Sequence, residues 1–124
     1  MANSTQNQSS IYELVYDLVK KVPYGKVITY GLIAEKLRHY NKKLNGHVVG
    51  WVLHRNDNPL VPCHRVVDRN GRLAPNFAFD GAREQRARLR LEGVKFIDDM
   101  HVDLKNHLWI ILYENKNHNY WNKT

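Results

Sequence analysis

Cysteine is almost missing from this chain: one residue in 124, Cys63. A single thiol excludes an internal disulfide and a zinc site built on several cysteines. Apolar runs are short as well, none approaching the length that crosses a bilayer, and the N-terminal residues lack the hydrophobic stretch of a secretory signal. Histidines do not fill the gap, because His39, His54, His101, His107 and His118 show no metal-ligand spacing. No metal site, no cofactor and no membrane partner are therefore expected. A lone free thiol fits the reducing cytoplasm, or the nucleus of a eukaryote. Acidic residues are the other shortage: 12 Asp and Glu stand against 19 Lys and Arg, a formal charge of +7. On so small a chain that excess favours a polyanionic partner. Charge alone does not separate DNA from RNA or an anionic surface, and a well-solvated basic surface would look the same.

What is present suffices for one small globular domain. At 43% hydrophobic and 25% charged the chain is globular rather than disordered, and its length holds one modest core. No internal repeat and no second domain is visible. Residues 1–9 and 114–124 are polar and aperiodic, so they are expected as flexible tails around a domain at 10–113.

Helical signals dominate that domain. Ser10 and Glu13 form an S-x-x-E capping box, and Ile11, Leu14, Val15, Leu18, Val19 and Val22 follow at helical spacing. Pro23-Tyr24-Gly25 stops this helix, and Val27-Ile28 reads as a short extended piece. Thr29 is placed to cap a second helix from Tyr30 to about Arg38, burying Ile33, Ala34 and Leu37. A polar loop, 39–46, leads to a third helix from about His47 to His54 with Val49, Val52 and Leu53 inward. Trp51 is expected to pack in the core. Two short helices joined by a loop in a basic chain suggest a helix-turn-helix variant, although the loop is longer than the usual tight turn. Further on, Asn70-Gly71 marks a turn, and Asp80 can cap a helix that runs to about Glu92 and stops at Gly93. Its Arg83, Arg86, Arg88 and Arg90 read as a solvated face or a phosphate track. Leu108 to Tyr113 is a short apolar run, strand or helix end.

The chemistry concentrates in Pro62-Cys63-His64-Arg65-Val66-Val67. A cysteine alone in a small domain is more often an inert buried residue. A thiol nucleophile, however, needs a base for its proton and a positive field for its thiolate, and His64 and Arg65 supply both within two residues.

With Ile28-Thr29-Tyr30, Val49-Gly50, Asn56, Gly71 and Leu91-Glu92-Gly93 in the same order, this motif resembles the catalytic domain of O6-alkylguanine-DNA alkyltransferases and the alkyltransferase-like proteins. The resemblance covers most of residues 10–113. It implies a mainly α, winged-helix-like helix-turn-helix domain with one or two short strands. It also implies a methyltransferase reaction: Cys63 attacks the alkyl carbon on O6 of a damaged guanine in duplex DNA and keeps the group as a thioether, once per molecule. His64 would deprotonate Cys63 through a bridging water, Glu92 would orient His64, and Tyr30 would help displace the base and donate a proton to the departing guanine. Asn56 would order the segment that presents the active-site loop, and Arg65 would anchor that loop. The lesion must be flipped out of the duplex. In the family the second helix of the helix-turn-helix lies in the minor groove, with Thr29, Tyr30, His47 and Arg65 in the DNA-binding set. No cofactor is implied, and a monomer is expected.

Departures from the family pattern are equally visible. His47 stands where an arginine usually fills the vacated stack, and it lacks that residue's permanent charge and reach. After Gly71 the chain runs Leu73-Ala74-Pro75-Asn76-Phe77-Ala78-Phe79 in place of the glycine-rich pocket wall; the two phenylalanines would stack on a base or plug the core. The separate N-terminal domain of the alkyltransferases has no counterpart, which is more similar to the alkyltransferase-like branch. Members of that branch usually lack the cysteine and flag O6-alkylguanine for nucleotide excision repair proteins without repairing it. A second reading, a non-catalytic lesion sensor, therefore stands beside the first.

Overall fold

Ser10 begins the first helix with both halves of its capping box made: its Oγ accepts from Glu13 N at 3.1 Å, and its own N–H donates to Glu13 Oε1 at 3.3 Å. The computed structural model describes residues 10–75 and 81–110, so the tails at 1–9 and 114–124, the end of the expected domain at 111–113, and the two phenylalanines of 76–80 lie outside it. Helix α1, Ile11–Lys20, buries Val15, Leu18 and Val19, and Val22 prolongs that apolar face beyond the helix end. A two-residue strand β1, Ile28–Thr29, follows, and Thr29 Oγ1 accepts from Leu32 N at 3.2 Å to open helix α2, Tyr30–Leu37. Helix α3, Gly46–His54, is capped by Asn45, whose Oδ1 accepts from Val48 N at 2.9 Å.

The long connection between α2 and α3 is not slack. Leu44 is 2% exposed, and Arg38 Nε donates to its carbonyl at 3.3 Å. Full burial of one leucine contributes about 1.5–3 kcal/mol, enough to pin a polar loop in place. Helices α1, α2 and α3 share one core, in which Val15, Val19, Ile28, Ile33, Val49 and Val52 are fully buried.

A second, smaller cluster holds the other half of the domain: Val27, Val67, Leu73, Leu89, Val94 and Val102. Strand β2, Val66–Val67, joins the two by pairing in parallel with β1, Ile28 beside Val66. Leu108 lies parallel to Val27, which extends this edge. At Gly71 the chain turns with φ +83°, and a Cβ there would stand 2.7 Å from the carbonyl oxygen of Val102, so both conformation and space require glycine. Helix α4, Ala82–Leu91, then packs Gln85 and Leu89 inward, and Gly93 ends it at φ 85°. A one-turn helix, α5, Leu104–His107, precedes Leu108.

Five α-helices and a two-stranded sheet among the described residues make the expected mainly α, helix-turn-helix domain. Three details differ from expectation. Gly81 occupies the N-cap of α4 without a side-chain bond, and Asp80 lies outside the described residues. Trp51 is 50% exposed rather than in the core, because the inward face of α3 is already Val49, Val52 and Leu53 and a residue two on from Val49 points away. Arg86 is not simply solvated: its guanidinium lies over Phe96, 5.2 Å from the ring centroid.

Candidate active site

Cys63, His64 and Arg65 form a single turn of 3-10 helix between buried Val61 and strand β2. Its backbone is held by Cys63 N to Val61 O at 2.8 Å and Arg65 N to Pro62 O at 2.9 Å. From the other side comes Gln85 of α4, fully buried. Its Nε2 donates to the carbonyls of His64 (3.1 Å) and Val66 (2.9 Å), and its Oε1 accepts from Ala74 N at 2.7 Å. One side chain thus ties the reactive turn to the segment after Gly71. Sequence reading missed Gln85, since a glutamine among arginines looks like surface. The signal was its spacing: Ala82, Gln85 and Leu89 fall on one helical stripe.

The thiol faces the end of α3. Asn56 Nδ2 donates to Cys63 Sγ at 3.3 Å and to Asn58 O at 3.0 Å, while its Oδ1 accepts from Asn58 N at 3.1 Å. Asn56 therefore folds its own loop and presents an N–H to sulfur with the same amide. Burial pushes the Cys63 thiol up, and the Asn56 N–H and the Arg88 charge work in the opposite direction without overcoming it.

His64 turns its ring to Glu92, which follows α4: Nε2 lies 2.6 Å from Oε2. Arg65 grips the same carboxylate, Nη2 to Oε2 at 2.8 Å and Nε to Oε1 at 3.0 Å, and sends Nη1 to the carbonyl of Val22 at 2.8 Å. Gly25 N–H completes the set at 3.0 Å from Oε1. Gly25 holds φ +85° to make that turn. The side chains of His64 and Glu92 are 13% and 7% exposed. Burial pushes Glu92 up, but the Arg65 fork, the Gly25 N–H and His64 outweigh it and hold the carboxyl below its usual range. Burial also lowers His64, more than Glu92 raises it, so the imidazole is neutral at physiological pH. With Nε2–H given to the carboxylate, Nδ1 carries the lone pair of a base.

The other expected residues separate into two groups. Tyr30, at the start of α2, has its ring against Gly50 of α3, where an added Cβ would meet ring carbons at 3.8 Å. Burial, with Asp68 and Cys63 nearby, pushes its phenol up, so it keeps its proton. Thr29 is 6% exposed and its hydroxyl is spent on the cap of α2, which places it beneath the surface. His47 is exposed on the first turn of α3 and, with Trp51 and His54 at helical spacing, lies on the outward face of that helix. Trp51 is flanked by Tyr12, 5.8 Å between centroids, and by the Arg55 guanidinium at 4.9 Å. No group of His, Cys, Asp and Glu among the described residues is arranged to hold a metal ion.

Residues 10–94 match the family described as 6-O-methylguanine DNA methyltransferase, DNA binding domain. The chain is 33% identical over 103 residues to alkyltransferase-like protein 1 of Schizosaccharomyces pombe, covering 79% of this chain and 93% of that protein. It is 40% identical over 83 residues to a methylated-DNA–protein-cysteine methyltransferase of Methanocaldococcus jannaschii, covering 66% of this chain and 47% of the relative, so it spans about half that relative's length. Among solved structures it is similar to the S. pombe alkyltransferase-like protein in complex with damaged DNA containing O6-carboxymethylguanine, with TM-score 0.63 and 31% identity over 79% of this chain and 93% of that one. The O6-methylguanine methyltransferase of Mycobacterium tuberculosis superposes with TM-score 0.56 at 29% identity, over 68% of this chain and 48% of that one.

Proposed function

This chain belongs to the 6-O-methylguanine DNA methyltransferase family, and from that premise we propose that it binds duplex DNA, flips out O6-alkylguanine and takes the alkyl group onto Cys63. The observation that carries the reading is the pairing of Asn56–Cys63 with the adjacent His64–Glu92–Arg65 set, a nucleophile with an N–H for its thiolate and, next in the chain, a neutral base oriented by a fixed carboxylate.

In the proposed reaction the Cys63 proton goes to His64 through a water, and the resulting imidazolium is stabilised by Glu92. The thiolate forms a bond to the alkyl carbon as the carbon–O6 bond breaks, and that electron pair leaves with guanine. Tyr30, protonated in its half-buried seat, gives the departing base a proton. The thioether does not revert, so each molecule acts once. Lesion DNA is the expected partner because a relative of this fold holds O6-carboxymethylguanine DNA. The outward face of α3, with His47, would enter the groove, and Arg65 acts by anchoring the loop.

Two observations favour the second reading, a lesion sensor that hands O6-alkylguanine to excision-repair proteins. The chain matches the alkyltransferase-like protein over nearly all of that protein's length, and burial pushes the Cys63 thiol up. Intact mass after incubation with duplex DNA carrying O6-methylguanine separates the two. A gain of one methylene on the wild type and none on Cys63→Ala is the expected result. Lesion-selective binding without that gain would overturn methyl transfer and leave the sensor.

A further inference from the structure

His107 lies beyond the matched family segment, yet it touches both pieces of backbone that frame Glu92. Its Nδ1 stands 3.1 Å from the carbonyl oxygen of Gly25, and its Nε2 stands 3.1 Å from Lys95 N. Those partners fix the proton. A carbonyl only accepts and a backbone N–H only donates, so Nδ1 carries the hydrogen and Nε2 the lone pair. Gly25 is the residue whose N–H is given to Glu92 Oε1, and Lys95 is the third residue past Glu92, just after the turn at Gly93. The imidazole is itself held by backbone: His107 N donates to Asp103 O at 3.1 Å, and His107 O accepts from Val27 N at 2.9 Å.

We propose that His107 is a positioning residue for the His64–Glu92 pair, tying the Gly25 turn to the chain leaving Glu92. It touches neither thiol nor substrate. By fixing where the Gly25 N–H stands, it holds that donor on Oε1, beside the Oε2 that His64 shares with Arg65. The importance of that pair for alkyl transfer rests on the function proposed above; its geometry does not.

The test reads His64 itself. In protein with isotopically labelled histidine, the His64 imidazole is assigned by its loss in His64→Asn and its titration midpoint is followed by NMR. His107→Phe keeps a ring and removes both bonds. The loosened carboxylate then supports the imidazolium less, and the His64 midpoint falls by on the order of half a pH unit. Leu37→Val, a core change remote from the site, lowers stability and leaves the midpoint in place. An unchanged midpoint in His107→Phe, or an equal fall in Leu37→Val, overturns the proposal. Should His107→Phe not fold, His107→Ala replaces it and the same two outcomes decide. Methyl uptake by the wild type is scored separately, so failure of the alkyltransferase reading leaves this test intact.

Discussion

His64 and Glu92 stand 28 residues apart in sequence and 2.6 Å apart in space, and the arginine next to that histidine grips the same carboxylate. The Cys63–Arg65 turn and the end of α4 are thus one electrostatic unit: Arg65 keeps Glu92 charged, and Glu92 keeps His64 in a single orientation.

Glu92→Gln keeps the shape and removes the charge. Arg65 loses its fork partner and His64 its anionic acceptor, in a place where the Glu92 side chain is 7% exposed. We expect a stability loss of about 1–3 kcal/mol and slower methyl uptake by Cys63. Urea denaturation and the single-turnover rate check both, and wild-type stability in the variant would contradict the ion-pair account.

Stability should fall in two acid steps. Burial lowers His64, so between the unfolded imidazole value of about 6.5 and its depressed folded value the unfolded chain binds the proton first. Stability is therefore full above about pH 6.5 and declines as the pH drops through that window. Glu92, held low against burial by Arg65, the Gly25 N–H and His64, adds a second loss below about pH 4.3. Urea midpoints from pH 8 to 3 should show both steps, and His64→Asn should remove its share of the upper one and shrink the lower, since His64 helps hold Glu92 low.

Asn56→Asp isolates the thiol. The variant keeps the oxygen that accepts from Asn58 N and exchanges the N–H group that serves Cys63 Sγ and Asn58 O for a carboxylate oxygen. The thiol, already pushed up by burial, should rise further, because a carboxylate beside it disfavours the thiolate. The pH dependence of iodoacetamide labelling at Cys63 measures this directly. An unmoved profile would mean that the Asn56 contact has no electrostatic role.

Much of this was legible in the sequence, and the misses share a cause. Caps and helix faces are local signals, so the Ser10–Glu13 box, the Thr29 cap and the inward stripe of α3 could be read directly. Trp51 was expected inside because it is large and apolar, yet helical phase turns it outward, where Tyr12 and Arg55 flank it. Gln85, Gly25 and His107 matter through long-range bonds to backbone, and no spacing rule announces which carbonyl a distant side chain will reach. Cys63 and His64 stood out by their own chemistry and resemblance added Glu92; the fork that welds Arg65 to Glu92 needed the fold.

Gln85→Leu should be among the costly single changes in the domain. The leucine fits a buried site but leaves the carbonyls of His64 and Val66 and the N–H of Ala74 without their partner. Each unsatisfied buried group costs about 1–3 kcal/mol, so a total loss of roughly 3 kcal/mol or more is expected. Urea denaturation reads it, and a loss under about 1 kcal/mol would show that Gln85 is not what holds the reactive turn.

His47→Arg tests the outward face of α3. The residue is exposed on the first helical turn, with Asn45 already serving as the cap, so an arginine there disturbs neither packing nor the helix start. It adds a permanent charge and a longer reach than the native imidazole has. If this face meets duplex DNA, affinity should rise, and the slope of log K against log salt should steepen by about 0.9 for one additional phosphate contact. A gain confined to lesion DNA would mean that the side chain acts in the vacated stack. A gain shared by undamaged duplex would mean that it binds phosphate only. No change in either affinity or slope would place the DNA on another face of the molecule.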